Sequence, residues 1–184
     1  VSGHHWVAQR IPDDKYAVVA NQMTNMIVDF TKPEEFMWSD GIQEFVTDNK
    51  LNPSAKEWNV RDIFSTNDEE DASYNICRVW DGQRILTPSK KDKYEITSKE
   101  IPFLQTADKK ITVAKVRKVL SSHYNGTEYD PYGEAVGGYR AINVPRAMES
   151  HIIQWRQDMP VEISGVQWVA LGIPETSVYV PFYN

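Results

Sequence analysis

The stretch that decides the fold is Ser150–Tyr183, SHIIQWRQDMPVEISGVQWVALGIPETSVYVPFY. Its segments SHIIQWR, GVQWVALG and TSVYVPFY are rich in β-branched and aromatic residues, and the polar, proline-bearing connections QDMPVEIS and IPE separate them. Such runs read as strands. Ahead of them lies a block of helical patterns, and ahead of that a second strand-rich region. The order strands, helices, strands predicts an α+β fold rather than a doubly wound α/β one.

Moving toward the N-terminus, GTEYDPYGEAVGGYRAINVPR (126–146) is rich in Gly, Pro and Tyr and reads as one long loop. Loops of that length are uncommon unless functional. TVAKVRKVLSSHYNG (112–126) is the clearest helix. Thr112 caps it, Val113, Val116, Leu120 and Tyr124 mark one face, and Asn125-Gly126 supplies a stop. Asn125–Thr127 also matches a glycosylation sequon, and the helix stop is the preferred reading. YNICRVWDGQRIL (74–86) has apolar Val79, Trp80, Ile85 and Leu86 with Gly82 in the middle, and fits helix-turn or strand-turn. WNVRDIFST (58–66) predicts a short helix capped by Asn59. SDGIQEFVTDNKL (39–51) predicts another, capped by Ser39 or Asp40, with Ile42, Phe45 and Val46 on one side. HHWVAQR (4–10) and YAVVANQ (16–22) predict a hairpin around Ile11–Lys15, with Met26–Phe30 as a third strand.

The chain has 184 residues, 41% of them apolar, enough for one sizeable core, so a single domain over 1–184 is expected. Six Trp and nine Tyr argue against disorder. The net charge is −6, with no basic run, which excludes an ordinary nucleic-acid binder. The acidic cluster Asp68–Asp71 reads as a solvated loop, since it lacks the spaced ligands and turn glycine of a calcium loop. One cysteine, Cys77, precludes an internal disulfide and fits a reducing, cytoplasmic compartment. Neither a signal peptide nor an apolar run long enough to span a membrane is visible. The first residue is Val rather than Met, so the expectation is a processed chain or a piece of a longer one.

The candidate chemistry is sparse. His4 and His5 are adjacent, and neighbours on a strand point to opposite faces, so they do not suit one metal ion. His123 ends a helix, where a cation suits the dipole. His151 lies in a strand. Cys77 beside Arg78 has the makings of an activated thiol, but a small buried apolar residue is the simpler reading. Arg140 and Arg146 read either as carboxylate anchors or as solvated cations. Asn21-Gln22, an amide pair closing an apolar stretch, reads either as a turn or as an amide donor aimed into a cleft. From the residues alone both readings stay open.

Five stretches in order, SGHHWVAQRIPDDKYAVVANQ, YNICRVWDGQRIL, HYNGTEYDPYG, YRAINVPRAMESHIIQWR and GVQWVALGIPETSVYVPFY, together resemble the bacterial dipeptidase A family of cysteine dipeptidases. These are N-terminal-nucleophile (Ntn) hydrolases. The resemblance runs through essentially the whole chain. It implies a four-layer αββα sandwich of antiparallel sheets, dipeptides as substrates, and no metal or organic cofactor. It further implies a cysteine at the mature N-terminus whose own α-amine serves as base. Family members are more than twice as long, and their cysteine lies upstream of the part that matches. The chain is therefore expected to be an internal portion without the nucleophile, inactive alone and, with core surface exposed, prone to self-association.

Related Ntn amide hydrolases such as penicillin V acylase and bile salt hydrolase place an asparagine amide in the oxyanion hole at the end of a central strand. The match in VVANQ nominates Asn21. They also place an arginine near the nucleophile, and ICRVWDG nominates Arg78, with Arg84 as second choice. Two rival readings come from other classes: a non-enzymatic interaction module that binds through loop 124–140, and the non-nucleophile subunit of a two-chain amidohydrolase.

Overall fold

The computed structural model describes residues 4–21, 25–52 and 57–183. Contacts divide the chain into two compact units. The first comprises Val1–Trp80 and Asp92–Ala107, the second Asp81–Lys91 and Asp108–Asn184. Helices and antiparallel sheets both contribute, as an α+β fold requires.

In the first unit, strand β1 (Val7–Gln9) pairs antiparallel with β2 (Phe36–Trp38), Val7 opposite Trp38. Among the described residues, the expected hairpin of 4–10 with 16–22 does not form. The bend itself is present, since Lys15 N–H donates to the Pro12 carbonyl at 2.9 Å. The chain beyond it pairs elsewhere: Tyr16 exchanges both backbone hydrogen bonds with Gln105. Turn chemistry sets the bend but leaves the choice of partner strand to tertiary packing. Residues 26–30 also form no strand. Val28 N–H donates to the Trp58 carbonyl, and Val60 N–H to that of Met26. Here a core of Met26, Val28, Phe36 and Phe103 is walled by Val7, Phe30, Trp38 and Trp58. Phe30 meets Trp38 and Trp58 edge-on at 4.9 and 5.0 Å, the arrangement that ring quadrupoles favour.

Helix α1 (Ile42–Asp48) buries Ile42 and Val46, whereas Phe45 faces outward over the ring of His5. Its cap is Gly41 at φ 75°, not Ser39 or Asp40. Ser39 is occupied otherwise, its hydroxyl accepting from Trp6 N–H at 3.1 Å. Helix α2 (Val60–Phe64) starts as expected, the Asn59 side chain accepting from Arg61 N–H at 3.2 Å.

Residues 72–86 are helical throughout: a π-helical turn, Ala72–Ile76, runs into α3 (Cys77–Leu86). Gly82 does not interrupt it. Cys77, Val79, Trp80, Asp81, Gln83, Ile85 and Leu86 are all buried. A helix buried on most sides carries no amphipathic period, which is why its sequence resists typing.

In the second unit β3 (Glu149–Trp155), β4 (Gly165–Leu171) and β5 (Val180–Tyr183) form an antiparallel meander. Register runs from Glu149 opposite Leu171 to Trp155 opposite Gly165. A one-turn helix, α5 (Val161–Ser164), joins β3 to β4. One sheet face, with Ile152 and Ala170, packs with Tyr179 against Val113, Val116 and Leu120 of α4 (Val113–Leu120). On the other face Ile153, Trp155, Leu171 and Phe182 are exposed. Between α4 and β3 the chain is irregular, as the loop reading requires. Tyr124 opens that segment at φ 67°, fully buried, its hydroxyl donating to the Arg140 carbonyl at 2.7 Å.

The Thr112 hydroxyl accepts from Lys115 N–H at 3.2 Å and so caps α4, the helix that covers the meander. Thr112→Ala leaves that donor without its partner and is expected to lower unfolding free energy by about 1 kcal/mol in urea titration.

Candidate active site

The site grows from the acidic stretch ahead of α3. Asp68, Glu69 and Glu70 are exposed, as a solvated loop predicts, but Asp71 is buried. Burying a carboxylate requires hydrogen-bond donors. They come from the Thr66 hydroxyl at 2.7 Å, Asp68 N–H at 3.2 Å, and the side-chain amide of Asn75 at 2.7 Å. Asn75 lies one turn on, within the π-helical turn and 8% exposed. There Cys77 N–H reaches back to the Ala72 carbonyl, five residues away, which is the i→i+5 pattern of the π form.

With its NH2 committed to Asp71, Asn75 presents its oxygen on the other side. Two donors converge on that oxygen: Asn21 Nδ2 at 2.9 Å and Arg78 Nη2 at 3.0 Å. The guanidinium fixes the assignment, because arginine can only donate. The Asn75 atom facing it is therefore oxygen, and the Asn21 atom facing that oxygen is the NH2. Arg78 is further held by its Nε donating to the Tyr74 carbonyl at 2.8 Å and by the Tyr74 ring, 5.1 Å from the guanidinium carbon. Asn21 takes a left-handed backbone, φ 66°, which asparagine tolerates better than most residues. Its side chain is exposed, and an amide NH2 carries two hydrogens. Contact with Asn75 uses one of them.

Asn21 and Arg78, separated by 57 positions in the chain, thus meet on one buried amide oxygen. Neither Asn75 nor Asp71 was singled out from the sequence. The available signal was the i, i+4 spacing of an acid and an amide on one helix face. Arg84, the second-choice arginine, engages differently. Its Nε and Nη2 donate to Asp81 Oδ1 at 3.1 and 2.6 Å, and Asp81 is fully buried. Gln22 lies outside the described residues. Cys77 is fully buried, with its thiol hydrogen directed to the Ser73 carbonyl at 2.9 Å. That is the small-core-residue reading and not an exposed nucleophile.

The histidines do not assemble. His4 and His5 are exposed, and His151 pairs with Glu149 at the surface. Among the described residues, no group of three His, Cys, Asp or Glu side chains is arranged to hold a metal ion. His123 has a role that its place after a helix does not reveal. It is 6% exposed, with Nδ1 2.8 Å from Asp130 and Nε2 3.1 Å from Glu175. Asn125 also brings its NH2 to 2.6 Å from Nε2, a contact that suits the neutral ring, whereas the Glu175 contact suits the cation. Burial opposes the charge on His123, but hydrogen bonds and the fields of Asp130 and Glu175 outweigh it and raise its pKa above 6.5. For Asp130, burial is again opposed, here by the Tyr132 N–H and by His123, and its carboxyl falls below its ordinary value.

Comparison with known proteins gives the frame for this geometry. The peptidase family C69 model matches residues 1–184. The chain belongs to peptidase family C69. It is 50% identical over 188 residues to a probable dipeptidase of Latilactobacillus sakei, covering all of this chain and 39% of that protein. It is 38% identical to probable dipeptidase B of Lactococcus lactis and 35% identical to dipeptidase A of Lactobacillus helveticus, again over the whole chain and 40% of each relative. The chain thus spans about two fifths of the length of these relatives.

The titration of His123 has a testable sign. A raised folded-state pKa gives stability that is complete below the unfolded value near 6.5 and is lost as pH rises through the folded value. His123→Gln removes that dependence. The stability advantage of the wild type over this variant, measured as the difference in Tm, is expected to be largest at about pH 5.5 and to shrink by about pH 9. An advantage constant across that range would show that the charge on His123 has no part in it.

Proposed function

We propose that this chain forms part of a dipeptide-hydrolysing enzyme of the Ntn type, within an αββα sandwich, and that Asn21 is its oxyanion donor. The observation that carries the reading is the convergence of Asn21 and Arg78 on the Asn75 oxygen, in a chain of peptidase family C69 with relatives named dipeptidase. An oxyanion hole works when a donor is held in place before charge develops. Asn75 restrains one hydrogen of the Asn21 amide, and Arg78 and Asp71 restrain Asn75, so the remaining N–H is preorganised.

In this mechanism the α-amine of the nucleophilic cysteine takes its thiol proton, the thiolate attacks the dipeptide carbonyl, and the displaced π electrons settle on the carbonyl oxygen, to which the Asn21 N–H donates a hydrogen bond. Collapse of that intermediate expels the amine, protonated by the α-ammonium of the nucleophilic residue, and leaves a thioester. Water, deprotonated by the same amine, then releases the acid and regenerates the thiol. Arg78 acts as a positioning residue through Asn75. The only cysteine in the sequence is Cys77, which is internal and buried, so the thiolate in this reading comes from a segment other than these 184 residues.

Asn21→Ala in the full natural enzyme is expected to lower kcat about 10²–10³-fold with little change in KM and an unchanged circular dichroism spectrum. An unaltered kcat would remove Asn21 from the oxyanion hole. The 184-residue chain alone is expected to release no amino acid from a Leu-Leu-type dipeptide, and turnover by the purified chain would refute the need for an outside nucleophile.

A further inference from the structure

Arg84 is paired with Asp81, and it lines a cavity of about 260 Å³ in the second unit. The cavity's other polar walls are Lys115 and Lys118 of α4 with Ser122 and Asn125 beyond it, and Ile85 and Pro88 form the apolar wall. Lys115 and Lys118 are three positions apart and so project from one side of the helix. Neither is ion-paired with a carboxylate among the described residues, although Lys115 lies within the electrostatic reach of Asp108. Asp81 offsets the Arg84 charge, and no acidic side chain lines the cavity. Asp108 offsets part of the Lys115 charge, and Lys118 has no such acidic neighbour on the cavity wall, so the concave site keeps a net positive charge in a protein whose net charge is −6.

We propose that this cavity binds a small phosphate-class dianion, independently of the peptidase reading. Ammonium groups serve phosphate as point charges, and the Asn125 NH2, which spends one hydrogen on His123, has a second to donate. A zwitterionic amino acid fits poorly, because its ammonium would meet Lys115 and Lys118 with no carboxylate on the wall to receive it. The size fits a small anion: the cavity, about 260 Å³, lies at the low end of the roughly 300–1,000 Å³ of sites for drug-sized ligands. The apolar wall of Ile85 and Pro88 offers a place for a short organic group esterified to the phosphate.

The test is isothermal titration of the full natural chain, at low ionic strength, with inorganic phosphate, glycerol phosphate and acetate. Saturable one-site binding of phosphate, stronger than that of acetate, is expected. The double variant Lys115→Ala with Lys118→Ala should weaken it at least about tenfold, and Lys115→Arg with Lys118→Arg should largely retain it. Alanine favours the helix, so the fold should survive, as circular dichroism would verify. Tighter binding of glycerol phosphate assigns the site to an organic monoester, and equal binding assigns it to free phosphate. The proposal is overturned by no binding up to about 10 mM phosphate, by affinity indifferent to the two lysines, or by acetate binding as tightly.

Discussion

Everything near the candidate site depends on one hydrogen bond, from the Asn75 amide to the buried carboxylate of Asp71. A primary amide has two chemically opposite ends, and rotating it by half a turn exchanges a donor pair for an acceptor. Asp71 removes that freedom. Once the NH2 is taken, the oxygen must face Asn21 and Arg78, and both must donate to it. The carboxylate in turn tolerates its burial because Thr66 and the Asp68 backbone complete its shell. A chain of polar groups, each orienting the next, thus runs from an acidic loop to an exposed asparagine.

The parts of this arrangement that sequence reasoning could reach were the local ones. The caps Asn59 and Thr112 and the three C-terminal strands are decided by neighbours within a few residues, and they are where the patterns put them. Pairing in the N-terminal region is decided by distant partners. Tyr16 finds Gln105 and Val28 finds Trp58, and no feature of residues 4–30 encodes those choices. The helix through Gly82 was ambiguous for a different reason: a segment buried on most sides loses the polar face that gives a helix its period.

Site residues divide along the same line. Resemblance nominated Asn21 and Arg78, and the geometry ties the two together. Asn75 stayed hidden because an asparagine in a helical run has no pattern that distinguishes a buried, hydrogen-bonded amide from a solvated one. Asp71 stayed hidden because three exposed acidic neighbours disguise it. His123 looked like a helix-terminal cation, and its two carboxylates arrive from Asp130, seven positions on, and from Glu175, within the β4–β5 connection.

The π-helical turn at Ala72–Ile76 gives the segment one residue more than an α-helical turn would hold. That extra residue rotates everything after it by about 100° relative to everything before it. Asp71 and Arg78 therefore owe their common focus on Asn75 to a count of residues as well as to their chemistry. Loss of a single residue from 72–74 would keep Asn75 and Arg78 in step but shift both against Asp71, and so break the bond that orients the amide. Here chain length acts as a site determinant in its own right, one that comparing residue types position by position would overlook.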